Sequence, residues 1–94
     1  MPKLYCKVSE GLRKAEATVT VSEYDGTVQH FPLDRGLIAT TGGKPAIPVG
    51  VVHYAENGRE ERLALVSLPV EADSGTQRIW VKLSDLIVEK ERVK

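Results

Sequence analysis

Between Glu16 and Trp80, short runs of alternating apolar and polar residues are separated by Asp25-Gly26, Asn57-Gly58 and Ser74-Gly75. A period of two suits a pleated strand with one buried face. The three dipeptides are residues that tolerate the backbone of tight turns. The pattern predicts a small, antiparallel, all-β protein.

The chain of 94 residues has room for one domain, 1-94, with a modest core. A charged tail from about residue 88, Glu89-Lys90-Glu91-Arg92-Val93-Lys94, is expected to fray or to add a weak edge strand. Thirteen Lys plus Arg against thirteen Asp plus Glu give no net charge, so the long-range positive field of a general nucleic-acid binder is missing. Charge is uneven all the same. Residues 1-14 are basic and 15-34 acidic, which favours pairing of the two segments. A single cysteine, Cys6, excludes an internal disulfide and a cysteine-based zinc framework, and points to a reducing compartment. The N-terminus lacks a signal-like apolar run, and no stretch approaches the ~20 apolar residues of a membrane span. The expectation is a soluble, cytoplasmic protein with no membrane partner.

Lys3 to Val8 reads as a strand with Leu4, Cys6 and Val8 on its inner side, and as an edge available to a partner. Glu16 to Glu23 is the clearest strand, with Ala17, Val19 and Val21 inward. Asp25-Gly26 then suggests a type I′ turn, and Thr27 to Leu33 returns with Val28, Phe31 and Leu33 available to the core. Pro32 marks a strand end or an edge. Residues 34-48, rich in Gly and Pro around Leu37-Ile38-Ala39, read as one long irregular loop with one docked turn, either a binding loop or a connector across the open end of a barrel. Ile47 to Ala55 is apolar enough to be covered on both faces. Asn57-Gly58 predicts a hairpin returning through Leu63-Ala64-Leu65-Val66, and Gln77 to Leu83 forms a last strong strand.

Catalytic and metal chemistry fail on spacing. Gly42-Gly43-Lys44 could hold a phosphate oxygen, but Ile38 stands where a phosphate loop needs glycine and Pro45 where it needs Ser or Thr. These three residues remain candidate binding residues. His30 and His53 fall on different predicted strands, and neither Cys6 nor Asp34 lies at metal-ligand spacing from them. Asp25, Asp73 and Asp85 are explained by turns. No catalytic residue, metal site or cofactor is predicted.

One constellation remains. Arg78, Trp80 and Lys82 share one face of the last strand, placing the sole Trp between two cations. Such a face either packs under a loop with the cationic stems alongside, or serves as a platform for single-stranded nucleic acid or an extended peptide.

The segment Gln77-Arg78-Ile79-Trp80-Val81-Lys82-Leu83-Ser84-Asp85-Leu86 resembles the closing strand and short 3₁₀ turn of an SH3-like small barrel. The resemblance implies a partly open barrel of five to seven strands with one long irregular loop. The acidic loop cluster and paired tyrosines used for proline-rich ligands are missing, so that ligand class is not implied. The first functional expectation is a non-enzymatic binding or assembly module that engages a protein partner or self-associates through an edge strand. Nucleic-acid binding through Arg78, Trp80 and Lys82 ranks second, and a small hydrolase or enzyme subunit last.

Overall fold

The computed structural model describes residues 2-88. Ten strands run in order: β1 (Lys3–Tyr5), β2 (Lys7–Glu10), β3 (Glu16–Ser22), β4 (Val28–Asp34), β5 (Ala39–Thr41), β6 (Lys44–Pro48), β7 (Gly50–Glu56), β8 (Arg62–Ser67), β9 (Arg78–Lys82) and β10 (Leu86–Ile87). Short 3₁₀ turns occupy Arg35–Leu37 and Leu83–Asp85. All pairings are antiparallel, in three sheets ordered β10-β1-β6-β5, β2-β3-β4 and β7-β8-β9, which do not close into a barrel. No helix among the described residues is long and apolar enough to cross a membrane.

Ten strands replace the expected five to seven because two long segments change sheets midway, β5 forms within the expected loop and Leu86–Ile87 adds a short tenth. The predicted strand Lys3 to Val8 breaks at Cys6, whose N–H donates to Pro45 O at 3.1 Å, and continues as β2 in the second sheet. The segment from Ile47 breaks at Val49, whose N–H donates to Pro2 O at 3.0 Å, and continues as β7 in the third. The break changes two expectations for the first segment. β1 lies between β10 and β6, so the edge is confined to β2, the outer strand of its sheet, and Val8 there is 38% exposed instead of facing the core.

Residues 34-48 are not a long irregular loop. Asp34 accepts Gly36 N–H at 2.7 Å and opens the first 3₁₀ turn, after which β5 and β6 form a hairpin. Gly42 and Gly43, at φ of 60° and 81°, supply the two positive-φ positions that a type I′ turn requires.

The other turns use a different device. In the β3–β4 connection Glu23 N–H donates to Thr27 O (2.7 Å) and Gly26 N–H to Glu23 O (3.0 Å), with Gly26 at φ 91°. This is a three-residue loop with one left-handed position, not the expected two-residue type I′ turn. Asp25 is held in it by Thr27 N–H, which also lowers the carboxyl pKa. Ala72 to Thr76 repeats the arrangement with Gly75 at φ 90°. Asn57 to Glu61 repeats it too, but Glu60 takes the left-handed position at φ 63°, one turn position that the neighbouring Gly58 does not fill. The Asn57 side chain selects this loop by accepting the N–H groups of Arg59 (2.9 Å) and Glu61 (3.1 Å).

The core is built from one face of each sheet. Leu4 and Ile47, Val19, Val21, Phe31 and Leu33, and Val66, Ile79 and Val81 meet in a single apolar cluster. β3 points its apolar residues inward as its alternation requires. In β4 the inward set is Gln29, Phe31 and Leu33, whereas Val28 is exposed. Pairing of Ser22 with Val28 fixes that phase, and Gln29 is accommodated by donating to Glu23 Oε2 (2.7 Å) and accepting from Ser74 Oγ (2.7 Å). Pro32 sits on a strand paired on one side only, as an edge proline should. The charged tail expected from about residue 88 lies, beyond Val88, outside the described residues.

Candidate functional site

The sheet β7-β8-β9 has two faces of unlike character. Val51, Ala64, Val66, Ile79 and Val81 point into the molecule, with Ala64, Val66 and Val81 fully buried. Register then stacks three cross-strand rows on the opposite face: Gly50, Ser67 and Arg78; His53, Leu65 and Trp80; Ala55, Leu63 and Lys82. A bulge between Val51 and His53 shifts β7 so that His53 joins the row of Leu65 and Trp80.

Arg78, Trp80 and Lys82 therefore do share one face, as their spacing predicts. The two cations are exposed and the indole half-buried. Its ring stands 6.2 Å from that of His53 at 81°, an edge-to-face contact. The Trp80 carbonyl accepts Tyr24 N–H at 2.9 Å, which ties β9 to the tip of the β3–β4 loop. Half-buried Leu65 is on the central strand between the two, and buried Leu63, which does not belong to the central core cluster, extends the apolar row along β8. This row runs into a depression of about 380 Å³ lined by Tyr54, Ala55, Glu56, Arg62, Leu63 and Leu83. The three rows contain no carboxylate. Beyond the rows, Glu56 lines the depression, and Glu61, at the base of the β7–β8 loop, lines a cleft with Lys82.

Sequence reasoning missed His53, Leu65, Leu63 and Ala55 as members of this surface. The available signal was the run Leu63-Ala64-Leu65-Val66. A strand apolar on both sides needs cover on both sides, and here the core covers only one. The same correction applies to β7, which was expected to be covered on both faces. It is an edge strand, with Val52 46% and Tyr54 52% exposed.

Gly42, Gly43 and Lys44 lie elsewhere, at the tip of the β5–β6 hairpin in the first sheet. Lys44 Nζ stands 5.5 Å above the Tyr5 ring, a cation–π contact within the protein. The hairpin's geometry accounts for these glycines. His30 and His53 are in different sheets, and His30 Nδ1 is 2.9 Å from Thr20 Oγ1. Among the described residues no three His, Cys, Asp or Glu side chains converge as a metal site. Burial pushes the Cys6 thiol up to about 11, which leaves it protonated and a poor nucleophile at neutral pH.

No protein-family model, curated protein or solved structure matches the chain.

Proposed function

We propose that this protein is a non-enzymatic binding module that engages a protein partner through the outer face of the β7-β8-β9 sheet. The observation that carries this reading is the apolar row of Leu65 and Trp80, framed by Arg78 and Lys82, on a sheet whose other face already supplies the core. Aromatic and arginine side chains are the residue types that anchor protein interfaces, and an apolar strip with a charged border has the composition of an interface centre and rim. The test is affinity capture with the wild-type chain and with a Leu65→Ser/Trp80→Ser variant, followed by reconstitution with the purified partner. A partner bound by the wild type and lost by the folded variant supports the reading. Identical retention by both refutes it.

Nucleic-acid binding is the second reading, favoured by the two cations beside Trp80 on a face without carboxylates. It requires that an oligonucleotide quench Trp80 fluorescence at low salt and release it as salt rises. Absence of quenching at low salt removes it.

A further inference from the structure

We infer that the ligand of this face is an extended acidic peptide whose side chains alternate so that an apolar residue sits on Trp80 between two carboxylates that reach Arg78 and Lys82. The inference rests on the reading of this face as a binding surface and names the chemistry of what binds. Arg78 and Lys82 are four residues apart on β9, a separation of about 13 Å at ~3.3 Å per residue. An extended peptide laid along β9 has the same repeat. Its side chains at positions one, three and five point to one side and fall over Arg78, Trp80 and Lys82 in turn.

Charge complementarity supplies the sign. Both ends of the β9 row are cationic and exposed, and the three rows themselves carry no carboxylate, Glu61 reaching the cleft beside Lys82 from the β7–β8 loop. The middle of the face supplies the apolar requirement, since Leu65 extends the indole surface across to β8.

The same features argue against a nucleic acid. Leu65 offers no π surface, and the His53 and Trp80 rings stand at 81° to each other, so they do not form parallel platforms for successive bases. A polynucleotide following β9 would also bring intervening phosphates over Trp80 and Leu65, where no cation receives them. The chain's zero formal charge provides no general attraction to offset this.

The test is selection of a displayed nonapeptide library on the full chain, with the pools re-screened on an Arg78→Glu/Lys82→Glu variant and on Leu65→Ser/Trp80→Ser. Thermal melts establish that each variant is folded. The expected pool carries Asp or Glu four residues apart around a central Leu, Ile, Val or Phe. Synthetic members shift Trp80 fluorescence, bind on the order of tenfold more weakly to the charge-reversed variant, and weaken as salt rises. Enrichment without that spacing, or undiminished binding to the charge-reversed variant, overturns the ligand class while leaving the face as a binding surface. Peptides that bind equally to Leu65→Ser/Trp80→Ser overturn the binding surface itself. A library that yields no binder, while an oligothymidine quenches Trp80 in a salt-dependent manner, overturns the inference in favour of nucleic acid. Failure of both ligands overturns inference and surface together.

Discussion

Ser74 Oγ donates a 2.7 Å hydrogen bond to Gln29 Oε1 across forty-five residues of sequence, joining the Ala72–Thr76 loop to β4. The amide's other end donates to Glu23 Oε2, so one inward-pointing polar side chain fastens two turns to one strand. Gln29→Met, close in shape and unable to make either bond, is expected to lower unfolding free energy by about 1–2 kcal/mol. Urea denaturation measures this. An unchanged midpoint would mean that the amide makes no net contribution.

Glu60 occupies a left-handed position at φ 63° with an exposed side chain, a conformation that costs a non-glycine residue about 1 kcal/mol. Glu60→Gly is expected to stabilise the protein by about 0.5–1 kcal/mol, the relief of strain being partly offset by a more flexible unfolded chain. A lower denaturation midpoint than wild type would show that the Asn57 loop has another conformation.

Gly11 predicts the opposite sign. A Cβ there would lie 2.8 Å from Glu16 O and 3.0 Å from Glu16 C, both backbone atoms that cannot move without disturbing the start of β3. Gly11→Ala should therefore destabilise by more than about 1 kcal/mol, although alanine normally favours order over glycine. Thermal melts of Gly11→Ala and Glu60→Gly, compared side by side, should bracket the wild type.

The two faces of β8 should respond differently to truncation. Val66 is fully buried in the core, so Val66→Ala is expected to cost about 2 kcal/mol through two lost methyl groups and the space they leave. Leu65 on the opposite face is half-buried, and Leu65→Ala should cost less, about 1 kcal/mol, although it deletes more atoms. Reversal of that order would place the core on the other side of the sheet.

Cys6 gives a pH dependence. Burial raises its thiol from 9.0 to about 11, so the folded state holds a proton that the unfolded chain has begun to release. Its stabilising contribution is complete below pH about 9 and is lost as pH rises towards about 11. Cys6→Ala should abolish that part of the alkaline decline. Alkylation of the native protein should stay slow at pH 8 and quicken in urea.

The sequence made β3, β8 and β9 legible because each alternates, or runs apolar, over more residues than a loop would tolerate. It concealed the β5–β6 hairpin because Pro45 and Pro48 look like breakers. In the fold each proline is paired on one side only, Pro45 with Thr40 and Pro48 with Lys3. The Pro45 carbonyl points to Cys6, so its missing N–H falls on that side and not on the β5 ladder. The phase of β4 was hidden for another reason. Alternation counts apolar residues, and an amide with two partners can take an inward place that a valine vacates. Arg78, Trp80 and Lys82 were legible as a face because they lie on one strand. His53 and Leu65 were not, since only cross-strand register and a bulge bring them alongside.

β1 touches β6 on one flank and β10 on the other, through Lys3 opposite both Pro48 and Ile87. Pairing of Lys3 with Ile87 thus closes nearly the whole of the described chain into a single loop. Loop closure of that span delays native pairing, and folding should be slow for so small a molecule and sensitive to loss of β10.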